Sequence, residues 1–193
     1  GITYTSIAGA GANNFVWRTL TGGATNDDNR SIFTPIGFDF WYLGVRYTHF
    51  CASTNGFIDF SNSANNGSTG AAYGPLNANE FSVGGTGGTM LALAPLYDDL
   101  WPSGQGTTPL ANSMYYLTSG SAPNRVLTVE WVGQEKYKGA PYWTTPSSLN
   151  FQVKVYETSG LIEFVYGNMS QGTTTFDYAC GINNFWTPAR SEE

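Results

Sequence analysis

The chain alternates apolar and polar positions with a period of two over much of its length. Residues 36–40 read Ile-Gly-Phe-Asp-Phe. Residues 125–132 set Val126, Thr128 and Glu130 against Leu127, Val129 and Trp131, and residues 150–156 set Phe151, Val153 and Val155 against Gln152, Lys154 and Tyr156. That period belongs to strands with one face in a core. Shorter runs at 46–52, 57–60, 90–94, 113–117, 161–166 and 178–182 extend the pattern, and residues 2–7 read as a further edge strand. Asn55-Gly56 sits between two apolar runs, the strongest short-range hairpin signal. Leu43-Gly44 and the stretch Glu157-Thr158-Ser159-Gly160 mark two more turns. No segment carries a helical period. The pattern predicts an all-β fold: a two-sheet antiparallel β-sandwich, jelly-roll-like, of about ten strands with long loops. Residues 1–193 contain no repeat and no linker and read as one domain.

Composition sharpens this. Charged residues make up 11% of the chain, while Gly (24), Tyr (12), Phe (12) and Trp (6) are abundant, a mixture suited to strands and turns rather than amphipathic helices. The net charge of −6 repels a phosphate backbone, so no nucleic-acid partner is expected. No window approaches the apolar length of a membrane-spanning helix, so membrane insertion is not expected. The chain lacks an initiator Met and reads as a mature form or an excised domain. Residues 61–89 form a long stretch of Ser, Asn, Gly and Ala; its glycine cluster at 84–88 lacks the Lys-Ser/Thr ending of a phosphate loop.

Five strings occur in order: STNGFIDF, APLYDDLW, APNRVLTVEW, NFQVKVYETSGLIEFVYG and ACGIN. Together they resemble β-sandwich domains of Bacteroidetes cell-surface and type IX-secreted proteins and adhesins, and they are similar to the nidogen-like extracellular domain. The resemblance covers about residues 35–182. It implies an extracellular or cell-surface module in adhesion or surface architecture, without an enzyme activity of its own and with no required cofactor. For such a module a glycan or protein partner is expected, with assembly against neighbouring domains or subunits as an alternative role. The family pattern consists of strand and turn residues, and it carries no shared catalytic set to transfer.

The candidate chemistry is therefore read from the residues themselves. His49 is the one histidine, and no G-x-S-x-G elbow accompanies it, which leaves no serine triad to build. Glu130 and Glu163 lie among apolar strand residues. Facing one another across a cleft they would suit a glycosidase, as in small aromatic-rich β-sandwich xylanases; simple alternation instead points each to solvent. Asp98 and Asp99 follow a proline-ended strand, and Asp27 and Asp28 lie in a polar loop; both pairs offer oxygens to Ca2+ or to their own turns. Cys51 and Cys180 allow one disulfide or two thiols. The aromatic side chains Trp41, Trp101, Tyr137, Tyr142 and Trp143 exceed what turns need. They either cap the ends of the sandwich or form the contact surface for a glycan or protein, on loops rather than on a sheet face; a carbohydrate-binding module is the alternative function this surface allows.

Overall fold

The computed structural model describes residues 2–17, 29–62, 92–102, 113–137, 148–170, 172 and 178–182. Eleven strands are present among them: β1 (Asn13–Asn14), β2 (Thr34–Tyr42), β3 (Val45–Ser53), β4 (Phe57–Ser61), β5 (Ala92–Tyr97), β6 (Leu100–Pro102), β7 (Met114–Ser119), β8 (Val126–Lys136), β9 (Leu149–Tyr156), β10 (Ile162–Tyr166) and β11 (Ala179–Ile182). They form two antiparallel sheets. One runs β1-β7-β8-β9-β10, with β6 following β7 along the end of β8; the other runs β11-β5-β4-β3-β2. The expected all-β sandwich is present, and the described residues contain no helix. In particular, none is long and apolar enough to cross a membrane.

The core lies where the inner faces of the sheets meet. Phe40, Phe50, Ile58 and Leu93 of one sheet pack against Leu127, Val129, Trp131, Phe151 and Val153 of the other. Trp131 and Phe151 stack at 5.0 Å. Phe15 plugs the β1 end, with its ring 4.9 Å from Tyr116 and 6.0 Å from Phe50. The strands of strong alternation appear where the sequence puts them. Residues 2–7 do not: they form no strand. Two short strands, β1 and β6, have no sequence signal of their own; three residues ending in proline, as in β6, are too short to show a period.

The Asn55-Gly56 turn joins the two sheets. Ser53 pairs with Phe57 across a three-residue loop, in which Gly56 takes φ +80°, the left-handed residue such loops require. A Cβ on Gly56 would lie 1.7 Å from the Leu96 carbonyl oxygen, so β5 closes directly over the glycine backbone. The Asn55 side-chain oxygen accepts the Leu100 N–H at 3.0 Å, fixing β6. The Trp131 indole donates to the Ser53 carbonyl at 2.9 Å, fixing β8. Asp98 and Asp99 form the corner at which the chain leaves β5 in one sheet and enters β6 in the other.

This geometry separates two glycines of nearly equal φ. Gly44 has φ +78° and open space around its Cβ position. Gly44→Ala is expected to cost about 1 kcal/mol for the left-handed backbone alone. Gly56→Ala is expected to cost more than about 3 kcal/mol, because the Leu96 carbonyl must move as well. Denaturant unfolding of the two variants checks the difference; equal costs would mean that β5 does not close on this turn.

Candidate functional site

The described aromatic residues expected to form one contact surface lie in two different settings. Trp41 is on β2 rather than on a loop, with 59% of its surface exposed. It stands beside the two-residue β2–β3 turn, where Leu43 has φ +50° and Gly44 φ +78°. Both turn positions are therefore left-handed, the mirror-image turn that favours Asn or Gly. Leu43 is 59% exposed, and Val45 and, at the β9–β10 turn, Leu161 are exposed too. A Cβ on Gly160 would lie 3.8 Å from the Trp41 carbonyl, which places both turns at one end of the sandwich. Trp101, by contrast, is half-buried on β6 and meets Tyr137 edge-on at 5.0 Å. Trp101 pairs with Glu135, whereas the Trp41 end lies by Val126 and Tyr156. Nine residues of β8 separate these positions, about 30 Å of strand. Tyr42 on β2 and Tyr97 at the end of β5, also polar-tipped aromatics, are core residues. Tyr142 and Trp143 lie outside the described residues.

The Trp41 end is fixed from below by Arg125. Its guanidinium pairs with Glu157, donates to the Gly37 carbonyl of β2 at 2.5 Å, and lies 5.8 Å from the Phe38 ring centre. Thr118 donates to the neighbouring Ile36 carbonyl at 2.7 Å. These contacts cap the outer rim of β2, which is an edge strand, and blunt it against pairing with another chain. On the outer face Arg46 and Asp39 form an ion pair at 2.7 Å.

Glu130 departs from its expected solvent position. It sits on the outer face of β8 but has 0% exposure, because residues 4–8 lie over it. One carboxylate oxygen accepts the Tyr4 hydroxyl at 2.5 Å and the Gln152 amide at 3.1 Å. The other accepts the Ser6 hydroxyl and the N–H groups of Ile7 and Ala8, at 3.0–3.2 Å. Burial, and then the bond to Glu130, push the Tyr4 hydroxyl well above its ordinary pKa. Alternation gave the correct face of β8 but could not reveal the segment that covers it, more than 120 residues away. Glu163 lies on the same face of the sheet and accepts the Tyr156 hydroxyl. Burial and this bond push Tyr156 up to about 12. Through the β8–β9–β10 register Glu163 is two strands and two residues from Glu130, about 12 Å between Cα atoms. The space over the Glu130 carboxylate is filled by protein, not by an open cleft.

The remaining candidates have structural partners. Asp98 accepts the Asp99 N–H at 2.8 Å and pairs with Lys136. It is thus a turn carboxylate as well as one half of a buried ion pair. Asp27 and Asp28 lie outside the described residues. Among the described residues no three His, Cys, Asp or Glu side chains group as a metal site would require. No disulfide joins Cys51 to Cys180. They lie on β3 and β11 with β5 and β4 between them, about 14 Å apart, which is beyond the reach of a disulfide. Cys51 is buried and contacts the Arg30 guanidinium, which also pairs with Asp59 at 2.8 Å; Cys180 is exposed, 3.1 Å from the Tyr166 hydroxyl. His49 is a β3 residue whose ring bonds Thr48 at 2.8 Å.

Comparison with known proteins gives one match: the family model described as NIDO related covers residues 1–191. No curated protein and no solved structure matches the chain.

The Arg125–Glu157 pair gives this end of the molecule a pH signature. Arg125 holds the Glu157 carboxyl down from the ordinary 4.5 to about 2. A depressed carboxylate stabilises the fold above its unfolded pKa, and that contribution fades as pH falls from about 4.5 through about 2. An NMR titration of wild type is expected to show Glu157 titrating near the lower value. In Arg125→Gln it is expected to return towards 4.5, with a correspondingly flatter acid limb of stability. An unmoved Glu157 would show that the pair does not hold this corner.

Proposed function

The chain belongs to the NIDO-related family, and we propose that it is a non-enzymatic extracellular module of adhesion or surface architecture. In this reading it serves at a bacterial surface, in the manner of the type IX-secreted proteins its motifs resemble. It holds its partner through the β2–β3 turn, with Trp41 at the centre. One observation carries the reading: an exposed Trp41 stands beside an exposed Leu43 whose backbone is in a left-handed conformation that disfavours leucine. Such strain at an exposed turn points to function rather than to folding. A protein partner fits better than a glycan. Leu43 and Val45 offer nothing to sugar hydroxyls, and Asp39 and Arg46 are already engaged with each other. Large aromatics surrounded by aliphatic contacts are the usual centre of a protein interface.

Two substitutions test this. Trp41→Ala and Leu43→Asn are expected to leave unfolding stability within about 0.5 kcal/mol of wild type, since neither side chain is in the core and Asn tolerates the turn. Each is expected to weaken binding about tenfold or more. Panels of immobilised extracellular proteins and glycans, probed with wild type and both variants, provide the readout. Unchanged binding in both variants would overturn the assignment to this turn. Binding to glycans alone would replace the protein partner with a sugar.

A further inference from the structure

Residues 2–8 and the face beneath them form a receptor and its occupant. The occupant adds no strand to the sheet, so ladder hydrogen bonds do not hold it. It is held by a built slot on the outer face of β8, β9 and the end of β10. At the slot's floor the enclosed Glu130 carboxylate takes two hydroxyls and two consecutive backbone N–H groups from Tyr4, Ser6, Ile7 and Ala8. Gln152, also fully buried, holds the same carboxylate and donates to the Thr5 carbonyl at 2.8 Å. Beside them Gly167 leaves a recess for the Tyr4 ring; a Cβ there would come within 2.9 Å of the ring atoms. The slot therefore reads sequence: an aromatic hydroxyl, a second hydroxyl two residues on, then two consecutive backbone N–H groups.

The connection from this segment to β1 can bend without disturbing the rest of the fold. Asn13 and Asn14 pair with β7, and Phe15 is buried in the core. Between Ala8 and Asn13 lie Gly9 at φ +76° and Gly11 at φ +79°, each with no atom within 4 Å of its Cβ position. Residues 2–8 can thus lift about these glycines while β1 and Phe15 stay in place. Five residue steps from Ala8 to Asn13 span up to about 17 Å. With the exchanged segments layered between them, two facing sheets lie about 20 Å apart, twice the direct layer spacing. The segments occupy the middle of that gap, about 10 Å from either sheet, which these five residue steps can reach.

We propose that the Glu130–Gln152–Gly167 slot is a peptide-receiving site that accepts residues 2–8 of a second copy of this chain. Two copies then face each other through the outer faces of their β8-containing sheets and exchange segments about a two-fold axis. Every contact made within one chain is remade between chains, so the exchange costs no bond; such swapping is an economical route to a symmetric dimer. The proposal goes beyond the Trp41 reading and does not depend on it, since the slot and the β2–β3 turn lie on different sheets.

The test uses the 193-residue chain and a fluorescent synthetic peptide spanning residues 2–9. In the Tyr4→Phe/Ser6→Ala chain the resident segment has lost both hydroxyls, and the wild-type peptide is expected to displace it. Fluorescence anisotropy should show binding about tenfold or more tighter than to wild type, because hydrogen bonds to a charged group are lost from the competitor alone. Adding Glu130→Gln should remove that gain. If the Glu130 variant fails to fold, Gly167→Ala serves instead, since it fills the recess and leaves the carboxylate intact. Wild-type chains labelled separately with donor and acceptor dyes should exchange into mixed dimers on concentration, seen as energy transfer. Peptide binding that is equal in all the folded variants would overturn the slot. Peptide binding without mixed dimers would overturn the second copy as its occupant.

Discussion

The contact of Gly56 with the Leu96 carbonyl is the constraint on which the rest of the sandwich depends. The approach is so close that only glycine fits, and it is made at the point where the chain passes from one sheet to the other. Around it the same turn holds β6 through Asn55 and β8 through the Ser53 carbonyl. Three strands that are distant in sequence are thereby brought to one four-residue segment. The stacked Trp131–Phe151 pair and the aliphatic layer of β8 and β9 then have a fixed opposing face to pack on. Backbone complementarity of this kind explains why Asn-Gly in the first motif and the Leu-Tyr-Asp-Asp-Leu-Trp run in the second occur together: they are two sides of one joint.

A chain with so few charges uses them structurally. Arg30 is buried between Asp59 and Cys51, Lys136 pairs with Asp98 at the sheet-crossing corner, and Arg125 ties Glu157 to the rim of β2. Glu130 fastens residues 4–8. These groups fix elements in place, whereas the β2–β3 turn offers a partner the exposed apolar and aromatic side chains Trp41, Leu43 and Val45. This division is why the function proposed rests on Trp41 and Leu43, and why Glu130, weighed as half of a catalytic pair or as a solvent-facing residue, is read here as an anchor.

Much of the fold was legible because the alternation of β2, β8 and β9 reports directly on which face is buried. Pro95 illustrates a subtler signal. It lies within β5 where the register with β11 slips, one of the few positions at which a sheet tolerates proline. What alternation cannot report is what covers an outer face. Glu130 therefore read as solvated, and residues 2–7 read as a strand because Ile, Tyr and Thr favour strands wherever they stand. The aromatic surface was legible in kind but not in place: Trp41 and Trp101 both looked like loop residues, yet they belong to strands at opposite ends. Such placement depends on register and on which strands share a sheet, and neither is written locally. The disulfide question had the same character, since it turned on β5 and β4 lying between Cys51 and Cys180.

Hydroxyl-radical footprinting of the tryptophans, read by mass spectrometry on the free protein and on the protein bound to its captured partner, tests the central claim most directly. Trp41 is expected to be oxidised readily when free and protected when bound, while Trp131, fully enclosed in the core, stays unreactive in both states. A complex that leaves Trp41 as reactive as before, while protecting Trp101 or another aromatic, would contradict it.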